Sequence, residues 1–148
     1  MSYIFDQIRA ESEYGGILQT VAAQLAARNP LPLLVTGMCE GARTAFYASL
    51  AADIKKEYGS GLLIVVPDEK SALRISNACC DAGLSVLTYP LRDMVFHNIT
   101  ASHDYEHERL SVLKAALDNR YDIVLTTPDA AMQYTIPPET LRSLSART

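Results

Sequence analysis

The chain predicts an α/β fold: a three-layer αβα sandwich around a mainly parallel sheet. Three observations carry that expectation. Four short apolar runs, at 31–36, 62–66, 84–89 and 122–126, are continuous rather than alternating, as strands buried on both faces are. Segments of helical periodicity separate them, giving the strand–helix alternation of parallel sheets. Glycine and proline fall at the boundaries, at Asn29-Pro30, Gly37, Gly59-Ser60-Gly61 and Pro128. Right-handed crossovers would then lay helices on both faces of the sheet.

Each element follows in order. After Gly15-Gly16, residues 17–28 (ILQTVAAQLAAR) place apolar side chains at helical spacing until Asn29-Pro30 stops them. Residues 31–36 read as a buried strand running into Gly37. The Ala- and Leu-rich stretch 44–58 reads as a helix with a charged tail, DIKKE. Strand 62–66, helix 68–81 and strand 84–89 come next, then an irregular stretch at 90–102. Helix 104–117, strand 122–126 and a short helix opening at Pro128 follow, and PPETLRSLSART predicts one helical turn and a polar tail. The pattern leaves the strand order open.

Bulk composition narrows the function classes. A length of 148 residues suits one domain, with a core spanning about 17–141. Hydrophobic residues at 49% and charged residues at 20% are the balance of a globular protein. A net charge of −4 argues against gripping DNA or RNA by phosphate neutralisation alone, which needs clustered Lys and Arg. Three cysteines, with Cys79 and Cys80 adjacent, do not form a disulfide framework, so the expected compartment is the reducing cytoplasm. The acid-bearing N-terminus is unlike a signal peptide, and no apolar run is long enough to span a bilayer.

The most informative segment lies between the first predicted strand and its helix. A phosphate-binding loop has the form G-x-x-x-x-G-K-[ST] in that setting. Here the frame reads Gly37, Met38, Cys39, Glu40, Gly41, Ala42, Arg43, Thr44. Ala42 brings a Cβ where glycine would let the backbone close on phosphates. Arg43 puts a broad planar guanidinium in place of a compact ammonium. Glu40 sets a carboxylate where a helix N-terminus would attract anions. Thr44 retains a hydroxyl suited to Mg²⁺ or to a helix's first turn. No apolar run ending in Asp-Glu follows, so an acid to hold Mg²⁺ and orient water is missing. Gly37, Gly41, Ala42, Arg43 and Thr44 therefore stand as a degenerate, inactive cofactor loop, and no residue stands as catalytic.

Other candidates are weaker. His103 and His107 are four apart on a predicted helix, with His97 upstream, but HDYEH is not H-E-x-x-H and a third ligand is not evident. Cys79-Cys80 reads as small packing residues, and Cys39 has no histidine placed to activate it. Arg109 with Leu110, Leu113 and Leu117 makes an apolar stripe with a charged flank, suited to packing.

With these segments in place, the chain resembles the N-terminal UvrB-like module of bacterial transcription-repair coupling factors (Mfd). The resemblance rests on GMCEGART, LLIVVPDEKSALRI, YPLRDMVFHNITASHDYEHERLSVLKAAL and DIVLTTPDAAMQYTIPPETL, from about Leu31 to Leu141. It implies a degenerate RecA-like helicase lobe of the P-loop NTPase class, docking to other domains of the same protein. UvrB keeps an intact loop where this chain has Glu40, Ala42 and Arg43. UvrB's long aromatic hairpin is absent too: only about a dozen residues, Arg92 to His103, fill that place, with Tyr89, Phe96 and Tyr105 near it. For the parent protein the resemblance implies ATP-driven translocation on double-stranded DNA, displacement of stalled RNA polymerase and recruitment of UvrA in DNA repair. ATP and Mg²⁺ would serve motor domains elsewhere, with no cofactor in this segment. The sequence stops just past TIPPETL, before the position of the family's UvrA-binding domain, so a fragment of a multidomain protein is expected. The alternative is a functional ATP-binding lobe of a superfamily 2 DNA helicase.

Overall fold

The computed structural model describes residues 2–28, 31–91 and 104–145. Their elements are α1 (Ser2–Ala10), α2 (Ser12–Ala27), α3 (Glu40–Tyr58), β1 (Leu62–Val65), α4 (Glu69–Asp81), β2 (Val86–Tyr89), α5 (Asp104–Leu117), β3 (Ile123–Thr126), α6 (Pro128–Met132) and α7 (Pro138–Ser145). The strands form one parallel sheet in the order β1-β3-β2. Leu62 and Val86 flank Ile123, and Val65 and Tyr89 flank Thr126. The fold is thus mixed α/β around a small open parallel sheet.

The central strand explains its own sequence. All four residues of β3 (IVLT) are buried, because neighbours flank it on both sides and side chains cover both faces. On one face, Ile123 and Leu125 meet Ala48 and Ala51 of α3 and Ala72, Ile75 and Cys79 of α4. Leu62, Ile64 and Val86 pack beside them. Alanines at these contacts let the helix backbones lie close to the sheet. Alternation puts Leu63, Val65, Leu87 and Tyr89 on the opposite face. There α5 meets β2, and the Arg109 guanidinium lies 4.1 Å from the centroid of the Tyr89 ring. The β1 end of that face is open, with Leu63 66% and Val65 52% exposed.

Local chemistry fixes the element ends. The Asp68 carboxylate accepts the Ser71 N–H at 2.7 Å as the cap of α4. Hydrogen bonds from the Ser71 backbone, then its hydroxyl, hold that carboxyl below its usual range. Thr127 caps α6 by accepting the Ala130 N–H at 3.3 Å, with Pro128 at the first helical position. At the other end of the sheet, Lys55 Nζ donates to the carbonyls of Asn119 (3.0 Å) and Tyr121 (2.8 Å). This ties the last turn of α3 to the turn between α5 and β3, where Asn119 adopts φ 54°.

Gly61 sits where the same turn crosses the start of β1. A Cβ there would lie 2.6 Å from Tyr121 Cδ2 and 2.9 Å from the Asp122 carbonyl oxygen. Gly61→Ala is therefore expected to destabilise the domain by about 1–3 kcal/mol through overpacking. Urea unfolding of the variant checks this, and an unchanged midpoint would count against the close approach.

Several expectations need correction. Residues 31–36 are not a strand in the sheet. They carry no regular secondary structure, and Leu31, Leu33, Leu34 and Val35 are all exposed. A short apolar run fits any extended segment, and a parallel strand forms only where a partner edge receives it. Helix α2 begins at Ser12 and runs through Gly15 and Gly16, while α1 precedes it. Burial of Tyr14 in the first turn of α2 compensates for the poor helix propensity of the two glycines. On α5 the inward residues are Arg109 and Val112, whereas Leu110 is 40% exposed. Helix α7 has 8 residues rather than a single turn. Residues 92–103 lie outside the described residues, with Phe96, His97 and His103 among them.

Candidate functional site

The turn at Gly37, which leads from the segment 31–36 into α3, carries the chemistry expected of a phosphate loop or lacks it. Helix α3 starts at Glu40, so Gly41, Ala42, Arg43 and Thr44 all lie within it, and the connecting loop is only Gly37, Met38 and Cys39. A phosphate cradle needs successive backbone N–H groups turned toward one point. Here the N–H groups of Ala42 (3.1 Å) and Arg43 (3.3 Å) both donate to the Cys39 carbonyl. Ala42 is a far better helix former than the glycine that would stand there, which favours the helix winding back over the loop. Glu40 is the first helical residue, and its carboxylate pairs with Arg74 of α4 at 3.0 Å. Both partners are exposed, so the pair contributes little to stability, yet it keeps negative charge at the helix N-terminus. Gly37 remains in the loop at φ 79°, a conformation other residues rarely adopt.

Beside this junction the structure forms a cavity of ≈ 380 Å³, within the usual range of ligand sites. Ile8 of α1, Tyr14 and Ile17 of α2, Val35, Met38 and Phe46 line it, with Glu11 and Glu13 also in the wall. Sequence reasoning missed it, because α1 and α2 are brought to the loop by contacts distant along the chain. Asp53 of α3 is the centre of those contacts. Its carboxylate accepts Arg9 Nη2 at 2.7 Å and the Tyr14 hydroxyl at 2.6 Å. The Tyr14 ring meets Phe46 edge-on with centroids 5.9 Å apart. Burial raises the Tyr14 pKa first, and its hydrogen bond to Asp53 raises it further, so it stays a phenol and a donor.

Asp53 itself feels opposing effects. Burial pushes its pKa up, but hydrogen bonds from Arg9 and Tyr14 outweigh this, and the net direction is down. A carboxyl depressed in the folded state contributes stability above its ordinary value of 3.8 and loses it as pH falls through the folded value. Asp53→Asn is accordingly expected to be less stable than the parent at neutral pH, with the gap closing as pH falls below the ordinary carboxyl value of 3.8. Unfolding curves of both proteins from neutral pH down through that value test this; a gap independent of pH would reject the role of the charge.

A second cavity, of ≈ 280 Å³, opens at the carboxyl ends of β2 and β3. Glu69, Thr88, Thr126 and Thr127 supply its polar groups. This is the edge where open α/β sheets receive ligands. Thr126 Oγ1 donates to the Tyr89 carbonyl (3.3 Å) and Thr127 Oγ1 caps α6, so both hydroxyls already hold local backbone. Behind it, Arg109 is 7% exposed, and its Nη1 donates to the Pro90 carbonyl (2.7 Å) and to Gln133 Oε1 (2.9 Å). Arg109 thus joins α5 to the exit of β2 and the residue closing α6. Its sequence signal was a charge on a helical stripe, which could not reveal that it faces inward. Asp129 follows Thr127 at this edge, in the first turn of α6.

The remaining candidates are not brought together. Among the described residues, no three His, Cys, Asp or Glu side chains converge as metal ligands. His107 is exposed on α5. Cys39 and Cys80 are exposed, whereas Cys79 is fully buried, and burial, then the neighbouring Cys80, pushes its thiol up to about 11. Alkylation of the native protein is expected to modify Cys39 and Cys80 and spare Cys79 until denaturant is added. Intact mass tests this, and rapid native labelling of all three thiols would show that the α4 core contact is loose.

Among the described residues no helix is long and apolar enough to cross a membrane. No protein-family model, curated protein or solved structure matches the chain.

Proposed function

We propose that this chain is a non-catalytic, degenerate RecA-like module of a protein of the transcription-repair coupling type. One observation carries the reading. The N–H groups of Ala42 and Arg43, which a phosphate loop would turn to its ligand, are bound to the Cys39 carbonyl inside α3. The Glu40–Arg74 pair and the neutral Thr126-Thr127 at the end of β3 point the same way, since neither position offers what ATP and Mg²⁺ require. In this reading the module belongs to the P-loop NTPase class by descent, within a three-layer sandwich. It acts by docking to other domains of its own protein. ATP-driven translocation on double-stranded DNA, contact with stalled RNA polymerase and recruitment of UvrA belong to those other domains.

Titration of the chain with labelled ATP and Mg²⁺ tests the proposal. No saturable binding is expected at micromolar protein. Saturable binding that Arg43→Ala abolishes would overturn it in favour of a functional ATP-binding lobe. The double change Ala42→Gly with Arg43→Lys restores the ending of the loop consensus and weakens the helical turn that holds the donors. Binding gained by that variant would assign the defect to the loop alone.

A further inference from the structure

The larger cavity combines groups that neither the turn at Gly37 nor the sheet edge calls for. Part of its wall is aromatic and held in place. Tyr14 and Phe46 are 4% and 8% exposed and meet edge-on, and the Tyr14 hydroxyl is fixed on Asp53. Ile8 and Ile17, from the two N-terminal helices, add aliphatic surface, as do Val35 and Met38 from either side of Gly37. Gly37, at φ 79°, makes the turn that lets both of those residues reach one cavity. The result is a mainly apolar space of ≈ 380 Å³, large enough for a small organic molecule.

Formal charge enters that wall with a single sign. Glu11 and Glu13 line the cavity, and among the described residues no Lys, Arg or His does. They sit where α1 meets α2, and both are exposed. Hydrogen bonding from its own backbone, then from the Ser12 hydroxyl at 2.9 Å, holds the Glu13 carboxyl below its usual range. An acid suits the start of any helix. Glu11, however, stands at the N-cap of α2 and makes no capping bond with its side chain. Helix capping therefore does not account for a second carboxylate beside an apolar space.

We propose that this cavity binds a small primary amine with an apolar, aromatic body. The body packs against the Tyr14 and Phe46 rings and the aliphatic side chains around them. The head, protonated at neutral pH, donates charge-assisted hydrogen bonds to Glu11 and Glu13. The sign of the wall separates this class from the others. A nucleotide, a phosphate ester or a fatty acid would bring its anion to two carboxylates with no cation in the wall to offset them. A neutral apolar molecule would fill the space and leave both carboxylates without a role. The site does not depend on whether the loop at Gly37 descends from a phosphate-binding loop.

Three probes with one body and different heads test the site: phenylbutylamine, phenylbutanol and phenylbutanoate, each titrated into the full chain by NMR. The amine is expected to bind saturably at millimolar concentration or below, about ten-fold tighter than the alcohol, with the carboxylate weakest. In a Glu11→Gln, Glu13→Gln variant the amine should fall to the affinity of the alcohol, and the alcohol should bind as it does to the parent. Both substituted residues are exposed, and unchanged alcohol binding shows that the cavity is intact in the variant. The thiols report the location, because Cys39 lines the cavity whereas Cys80 lies on α4 outside its wall. Saturating amine should slow alkylation of Cys39 several-fold and leave Cys80 unchanged. Absence of saturable amine binding would overturn the proposal, as would equal affinity for the three heads. Amine binding that leaves Cys39 alkylation at its free rate would overturn it too, since the ligand would then sit elsewhere.

Discussion

Truncating Leu125 to alanine is expected to destabilise the domain by about 2–5 kcal/mol, the largest effect of any single substitution considered. Leu125 is 0% exposed at the centre of β3, flanked by Ile64 and Thr88 in register. The cluster around it on the covered face includes the helix alanines Ala48, Ala51 and Ala72, together with Ile75 and Cys79. Alanines have no longer rotamer to swing into the void, and the strand is held on both sides by its ladders. The site therefore relaxes little, which places the loss toward the upper end of the range. Leu125→Ile, which keeps the volume on a β-branched residue, is expected to cost less than about 1.5 kcal/mol. Denaturant unfolding with an unchanged slope measures both. A loss below about 1 kcal/mol for alanine would mean that α3 and α4 close onto the sheet more freely than their contacts suggest.

Replacing Arg109 is expected to be costly for a different reason. The guanidinium is nearly buried, stacks on Tyr89 and bridges the Pro90 carbonyl and Gln133 Oε1. Arg109→Ala removes the stack and deprives two part-buried acceptors of a charged donor, a loss of about 2–4 kcal/mol. Arg109→Lys keeps the charge but not the planar fork, so it should recover less than half of that loss. Because Arg109 spans three elements, its loss should also speed amide exchange around Pro90 and Gln133 while leaving β1 unchanged. A uniform increase across the sheet would instead mark Arg109 as an ordinary core residue.

Much of the fold was legible in residue pattern because local rules governed it. Strands 62–66 and 122–126 were continuous apolar runs bounded by turns, and each forms at that place. Asp68 before α4 and Thr127-Pro128 before α6 carry their helix signals in adjacent residues. The exceptions share one physical cause. Residues 31–36 look like a strand by every local rule, yet strand formation depends on a partner edge, which no window of sequence contains. Gly15 and Gly16 look like a break, yet burial of Tyr14 against Phe46 and its bond to Asp53 hold that turn helical.

The candidate site divides in the same way. Sequence by itself determined that the loop from Gly37 to Thr44 departs from a phosphate-binding loop at Glu40, Ala42 and Arg43, because that is a matter of residue type at a fixed spacing. Tertiary structure alone decided what becomes of the loop: α3 winds back to Glu40, the amide donors turn inward, and Arg74 meets the carboxylate. It alone decided that Arg109 faces inward and that a cavity forms beside Gly37. Those outcomes depend on groups far apart in the chain, such as Arg9 and Tyr14 with Asp53. Side-chain chemistry is written residue by residue, whereas burial and partnership are set by distant segments that only the folded chain brings together.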